Sequence, residues 1–397
     1  MSSPNGAAHQ TAADHDYDDD VVYPSAIPFL LVHLACFAAI WTGVTAEALA
    51  LCAALYVLRI FGIGAGYHRY FAHRAYKTSR FVQFLLALLC ETTAQRGVLW
   101  WAAKHRRHHL HSDTELDVHS PRRHGFLFAH VGWIFTPRND ATDYDAIPDF
   151  ARYPELVWLD RHTYLPPALL ALLTWLIAGW PGLVVGFCWS TVLVWHATFS
   201  INSLAHVVGR RRYVTGDDSR NNWLLAIVTM GEGWHNNHHA YQSSVRQGFR
   251  WWEYDPTFYI LKVLSWFGIV WDLQSPPEAV VRGEQRLGRK VIERVARQLA
   301  ASFPVERIAA QTHAALAQTP SWAELRSRVG VARGQAEALL AELHLPHVPS
   351  AEEIRRYAEQ RLARTPSLDE IVRRTRQILV ESISVRLLNE AEAAGAP

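Results

Sequence analysis

The sequence predicts an all-α integral membrane protein. Four transmembrane helices form two hairpins, and a cytosolic helical cap above them holds a histidine-rich metal site. Three observations lead there. Half of the 397 residues are hydrophobic, yet the mean hydropathy is only −0.04, so the apolar residues must be gathered into blocks. Four of those blocks approach the roughly 20 residues that cross a hydrocarbon core. Beyond apolar stretches stand three histidine clusters: His68 and His73; His105, His108 and His109; His235, His238 and His239.

The first 22 residues are polar, carry five Asp and no Lys or Arg, and read as a disordered acidic tail rather than a signal peptide. The membrane domain is expected over residues 23–279. Its helices fall at about 26–43 and 48–66, split by T-A-E, and at about 164–179 and 183–204, split by G-W-P-G. The turns inside the hairpins are almost uncharged. The loop over 67–163 carries Arg69, Arg74, Lys77, Arg80, Lys104, Arg106 and Arg107, and G-R-R-R follows the fourth helix. By the positive-inside rule both termini and all three clusters face the cytoplasm. A fifth apolar stretch, 81–101, is interrupted by Glu91, Gln95 and Arg96, and reads as a helix in the membrane interface.

From about residue 280 the composition turns to Ala, Arg, Glu and Leu. Capping-box spacings recur at Ser321–Glu324, Ser350–Glu353 and Ser367–Glu370, and Val291, Val295 and Leu299 repeat every four residues. Residues 280–397 therefore read as a soluble helical extension. A net charge of +2 gives no argument for nucleic acid. The four cysteines, with no C-x-x-C pair, give neither a disulfide framework nor a thiolate metal site.

Eight clustered imidazoles are too many for one metal ion and suit two. On a helix, residues three and four apart share a face, so each H-x-x-H-H triplet projects together. His68 and His73 are five apart and cannot both point inward from a straight α-helix. The second helix is therefore expected to end near His68, with His73 returning from a turn, and Arg69 and Arg74 facing headgroups or substrate. His206, four residues after Asn202, offers a ninth ligand, and Asn202 a hold on a metal-bound water. Glu232 and His235 form one E-x-x-H pair with no second. Glu232 is thus read as an outer partner orienting a ligand imidazole. His111, His119, His124 and His130 read as surface or supporting residues; His33, His162 and His196 read as packing or interfacial polar groups. Imidazole alone leaves zinc, copper, iron and nickel open.

At these residues the chain resembles the membrane-bound fatty acyl-CoA Δ9 desaturases, the stearoyl-CoA desaturase family. The resemblance runs from about Pro28 to Leu273. It rests on G-Y-H-R-Y-F-A-H-R, W-A-A-K-H-R-R-H-H, H-V-G-W, N-S-L-A-H and G-E-G-W-H-N-N-H-H. It implies that His68, His73, His105, His108, His109, His206, His235, His238 and His239, with Asn202 through water, hold two iron ions. It implies O2 as co-substrate and a fatty acyl thioester as substrate, an acyl-CoA of C16–C18 desaturated at Δ9. An acyl-lipid or acyl-carrier-protein substrate remains open, as does a related histidine-rich hydroxylase. A metal transporter is disfavoured, because its ligands belong near the bilayer midplane. Without an H-P-G-G haem motif, electrons must come from a separate donor, a ferredoxin or a cytochrome b5 with its reductase. An acyl channel with a floor is expected along the second helix, at Tyr56, Ile60 and Gly64 with Val57 and Phe61. Arg59 is expected to snorkel to the interface. Trp101, Arg106 and Arg107 are placed to meet a carrier phosphate.

Overall fold

The computed structural model describes residues 26–317 and 348–393. The acidic tail and the helix start at Ser321–Glu324 lie outside them. The described chain is mostly helical and divides into two compact units, Met1–Val281 and Arg282–Pro397.

In the first unit, helix α1 (Ala26–Thr42) carries one 3₁₀ turn at Cys36–Ala38. Gly43, at φ +77°, ends it. Two residues later the Thr45 hydroxyl accepts from the Ala48 N–H and starts α2 (Ala46–Ala72). Helix α5 (Leu165–Pro181) breaks at Ala178 and Gly179, where the dihedrals leave the helical region, and the chain turns into α6 (residues 182–202). A Cβ at Gly182 would lie 2.2 Å from the Thr174 carbonyl oxygen, so only glycine lets the two arms approach there. Helix α2 and the continuous α5–α6 segment, Leu165–Val207, are each long and apolar enough to cross a membrane, and α1 is a shorter apolar helix. Their outward faces expose Leu30, Leu34, Trp41, Leu58, Leu169 and Leu176.

The second helix does not stop at His68. From Gly62 to Ala72 it winds as a π-helix, and the His73 N–H donates to the His68 carbonyl at 3.1 Å. Hydrogen bonds that close from i to i+5 stack residues five apart, which is the His68–His73 spacing. Wider winding, not a turn, brings the two imidazoles to one side. The glycines of this stretch admit close neighbours. A Cβ on Gly66 would lie 2.2 Å from Cys90 Sγ, and one on Gly64 would lie 2.7 Å from Glu232 Oε1.

The expected single helix over 81–101 is two: α3 (Arg80–Glu91) and α4 (Val98–His111). Ala94 and Arg96 adopt positive φ in the break. Two carboxylates receive the start of α4. Glu91 accepts from the Val98 N–H at 3.2 Å and Asp160 from the Trp100 N–H at 3.0 Å. Acceptors satisfy the free N–H groups of a helix N-terminus, so the helix bearing the second triplet is fixed by side chains from two other segments.

Arg59 does not snorkel. It is fully buried between α2 and α6. Its guanidinium donates to the hydroxyls of Ser190 and Thr191 and to the Thr92 carbonyl just past α3. Hydroxyls and a helix C-terminus together solvate the cation. His33, His196 and His130 form a hydrogen-bonded chain of 3.1 and 3.0 Å that ends on Ser203 at 2.9 Å. Polar groups on apolar helices thus satisfy one another. One short antiparallel pair, Lys77–Thr78 with Val270–Trp271, and two isolated bridges, Arg210 with Asn221 and Asn221 with Trp234, interrupt an otherwise helical unit.

In the second unit, Val295 and Leu299 of the helix Arg289–Ala300 are buried; Ile354, Ile371 and Leu379 form the core of its neighbours. Ser350 and Glu353 make both bonds of the capping box. Ser367 instead accepts from the Leu287 N–H, and Glu370 faces Arg286.

Burial pushes the Glu91 carboxyl up to about 8. The folded state then favours the protonated acid. Its favourable share of stability is complete below about pH 4.5 and declines as pH rises from there to about 8. Glu91→Gln should flatten this part of the pH profile in unfolding followed by circular dichroism. An unchanged profile would contradict the assignment.

Candidate metal centre

The ligating nitrogens fall into two sets, and within each set every nitrogen lies within 4.8 Å of every other. One set is His68, His73, His105, His109 and His238. The other is His108, His206, His235 and His239. Each triplet contributes to both, because residues at i, i+3 and i+4 straddle a helix face. The two sets therefore sit side by side.

Within the first set, Nε2 atoms meet in succession. His68 to His238 is 3.0 Å, His238 to His109 2.9 Å, His109 to His105 2.9 Å and His105 to His73 2.9 Å. In the second, His206 Nε2 lies 3.1 Å from His235 Nε2, while Nε2 of His108 and of His239 are buried without a hydrogen-bond partner.

Carboxylates on the far ring nitrogens explain why Nε2 points inward. His108 Nδ1 donates to Asp117 at 2.9 Å, His206 Nδ1 to Asp113 at 3.0 Å and His239 Nδ1 to Asp217 at 2.8 Å; His68 Nδ1 meets Glu232. Each such bond places the proton on Nδ1 and leaves the Nε2 lone pair for a cation. Convergent lone pairs with no proton between them repel unless a metal ion accepts them. Burial, then the neighbouring imidazoles, pushes His73, His105, His109, His235 and His238 well below the usual histidine range, so they stay neutral as ligands must. Burial alone would raise Asp113, Asp117 and Asp217. The imidazoles facing them outweigh it and hold all three well below the usual carboxylate range.

Charge also fits the residues to a metal pair. Imidazoles that ligate are neutral and bring none. Asp113, Asp117, Asp217 and Glu232 bring four negative charges, and the Arg69 cation is matched by Asp255. Two divalent cations would balance the set.

Several residues sit elsewhere than the sequence indicated. Arg69 is buried, not at a headgroup, and bridges Glu232 and Asp255 at 2.8 and 2.9 Å. Arg74 reaches Asp149. Arg106 donates to both Asp149 oxygens at 2.8 and 3.0 Å and to the Phe71 and Ala72 carbonyls at 2.9 Å, which clamps the end of α2 onto α4. Arg107 is exposed. Gly64 abuts the Glu232 carboxylate, and the Tyr56 hydroxyl donates to the Val228 carbonyl at 2.6 Å. Trp101 stacks on His105, with ring centroids 4.7 Å apart. His119 is buried against His108 at 4.3 Å. Asp113, Asp117 and Asp217 went unnoticed in the sequence, as did Gln247, which donates to Glu232 at 2.9 Å. Asp113 and Asp117 follow the second histidine cluster within a few residues, but acidic residues are common in polar loops; Asp217 and Gln247 lie farther from any cluster. Asn236 and Asn237, inside the third triplet, turn away from the metals. Asn236 accepts from the Arg212 and Tyr213 N–H groups, and Asn237 donates to Glu253.

Two cavities adjoin the centre. One, of about 310 Å³, runs from Trp101, His105 and Asn202 to Phe187 and Thr191 on α6. The other, of about 30 Å³, lies among Ile60, Ile63, Thr198, Asn202 and the ligands His68 and His235.

A pair of buried histidine cages beside an apolar cavity, on a scaffold with membrane-length apolar helices, defines a membrane-associated metalloenzyme for long apolar substrates. The chain belongs to the fatty acid desaturase family, which matches residues 45–268. It is similar to the sn-2 palmitoyl-lipid 9-desaturase of Nostoc sp. (strain 36), 39% identical over 56% of this chain and 80% of that protein. It is also similar to the acyl-CoA C20 Delta5-desaturase of Anemone leveillei, 38% identical over 57% and 74%. The probable acyl-CoA desaturase of Schizosaccharomyces pombe is 34% identical over 62% and 53%. Membership makes the protein an oxidoreductase acting on fatty acyl chains.

Asp117→Asn or Asp217→Asn removes one charge and loosens one imidazole while keeping shape. Metal affinity should fall by about 10–100-fold, as for other outer partners of metal ligands. His108→Ala should remove metal from its set. Elemental analysis after dialysis against a graded chelator reads both.

Proposed function

We propose that this protein desaturates a saturated fatty acyl chain of C16–C18 at Δ9, with two irons held by His68, His73, His105, His109 and His238 and by His108, His206, His235 and His239. The single observation that carries the reading is that these two imidazole sets adjoin an apolar cavity of about 310 Å³, which His105 of the first set lines. Overall, O2, two electrons and two protons are consumed, two adjacent C–H bonds are lost, and one double bond and two waters form. When bound, the iron pair supplies an oxidant strong enough for unactivated methylenes, which no side chain provides. The irons leave the rest to the protein. Asp113, Asp117, Asp217 and Glu232 orient the imidazoles. Asn202, which lines both cavities, is placed to hold a metal-bound water. Trp101 packs against His105 and helps to keep bulk water from the reacting carbons. Ile60, beside the metals in the smaller cavity, acts as part of the floor.

All four apolar helices cross the bilayer in this reading, as two hairpins with both termini and the metal centre on the cytoplasmic side. Support comes from the nearly uncharged hairpin turns and the arginine-rich loop between the pairs. The described residues after about 280 belong, in this reading, to a soluble helical extension. A separate ferredoxin, or cytochrome b5 with its reductase, brings the electrons.

Expression in a host lacking its own desaturase, with the double bond located by mass spectrometry, tests this. We expect monounsaturated C16 and C18 chains, none with His238→Ala, and a shift toward longer chains with Ile60→Ala. A product heavier by one oxygen would mean hydroxylation. An unchanged chain-length profile would remove Ile60 from the floor.

A further inference from the structure

The larger cavity tells how its substrate arrives. It spans α1 (Phe29, Val32), the start of α5 (Pro167, Ala171) and α6 (Phe187, Thr191), and at its polar end reaches Trp101, Lys104 and His105. Of the described residues lining it, Pro28, Tyr164 and Ala168 alone are exposed. A residue that faces both a cavity and the outside marks the mouth. All three stand at the first turns of α1 and α5, or just before them. Their exposed neighbours are Ile27, Leu31, Leu165 and Leu169. The mouth is therefore ringed by side chains that belong in lipid.

No lining residue from the cap is exposed. Lys104 is buried, with Nζ 3.5 Å from the Arg138 carbonyl. Arg96, the one arginine among the described lining residues, is held by Asp140 at 2.6 Å; Arg106 is held by Asp149, and Arg107 is exposed but does not line the cavity. A soluble thioester with a pyrophosphate carrier needs an aqueous entry rimmed by unpaired cations. A chain already in the leaflet needs only a gap between helices.

We propose that the cavity opens sideways into the membrane between the first turns of α1 and α5, and that its substrate is the acyl chain of a bilayer glycerolipid. The headgroup stays at the interface beside Tyr164. The chain passes between Pro28 and Ala168, lies along Phe187, Thr191, His105 and Trp101, and reaches past Thr198 and Asn202, which line both cavities, to the smaller one floored by Ile60. This assignment rests on the desaturase reading for its chemistry but not for its geometry.

The test uses the full chain in phosphatidylcholine vesicles containing a photoreactive phosphatidylcholine, its diazirine on a stearoyl-length chain. Labelled peptides are mapped by mass spectrometry. We expect labelling around Phe187–Trp195 that excess stearoyl-CoA does not displace. Ala168→Trp and Pro28→Trp each narrow the mouth and should cut labelling by about tenfold, the size of effect that a misfit in an apolar pocket produces. Leu172→Trp, on the same outer face of α5 but away from the cavity, should leave it unchanged. Labelling by a diazirine acyl-CoA and not by the lipid overturns the lateral mouth, and so does lipid labelling that neither mouth variant alters. With metals and an electron donor supplied, a labelled cavity that yields no double bond would sink the desaturase reading and spare the mouth. Conversion of stearoyl-CoA alone would do the reverse.

Discussion

Nine imidazole nitrogens must present bare lone pairs to one place inside a protein, and everything else in the first unit serves that requirement. An imidazole in water titrates near neutral pH and hydrogen-bonds through either nitrogen. Burial removes the first freedom for His73, His105, His109, His235 and His238, and a carboxylate on Nδ1 of His68, His108, His206 and His239 removes the second. The result is electrostatically unfavourable by itself. Lone pairs face one another near 3 Å, and four carboxylates sit just behind them without enough cations to match. A pair of metal dications resolves both defects at once. That mutual dependence is stronger support for a binuclear centre than the histidine count, because a solvated basic patch would have no reason to bury its counterions.

Geometry at this level needs a rigid frame, and the frame comes from groups that are not ligands. Arg69 leaves the π-wound end of α2 and joins Glu232 to Asp255; Asp255 in turn accepts from the Gln247 N–H at 2.7 Å. Glu232 therefore receives Arg69, Gln247 and His68 together. Arg106 ties the last carbonyls of α2 to α4, which fixes the separation of His73 from His105. Glu91 and Asp160 set where α4 begins. Burial of Arg69, Glu232 and Asp255 is tolerable because the three are paired and hydrogen-bonded to one another. One unpaired member would leave a buried charge worth several kcal/mol of destabilisation.

What the sequence made legible follows from how local each signal was. Apolar blocks and H-x-x-H-H spacings are local, so the helices over 26–42 and 165–202 and the facing triplets could be read directly. The end of α2 could not. Five-residue spacing excludes a common inward face on an α-helix, and the answer lay in a change of helical winding that spacing alone does not announce. Residues 81–101 look like one apolar run because the break at Ala94–Gly97 is set by Glu91 and by Asp160, more than sixty positions away. Arg59 illustrates the same limit. Isolated in an apolar block, it reads as a snorkelling cation. Its partners, Ser190 and Thr191, are ordinary residues of a distant helix. The supporting aspartates Asp113, Asp117 and Asp217 were invisible for the opposite reason, because acidic residues in polar loops are common and nothing local marks three of them as buried.

The metal centre also bears on folding. Its ligands come from the end of α2, from α4, from the end of α6 and from the short helix His235–Ala240, so the ions join segments separated by up to 171 positions, from His68 to His239. In an unfolded chain such ligands are too dispersed for a preformed cage, and binding free energy then becomes folding free energy. The burial pattern agrees. The hydrophobic core around Tyr67, Phe71, Leu99 and Ala102 lies against the ligands, so imidazole repulsion would act on residues that hold the unit together. By mass action, free metal at about a hundred times its dissociation constant adds about 2.7 kcal/mol per site to the folded state. For a protein of ordinary marginal stability that is a large share. Metal bound at these histidines would thus stabilise the part of the first unit that gathers them, and its loss would weaken that part.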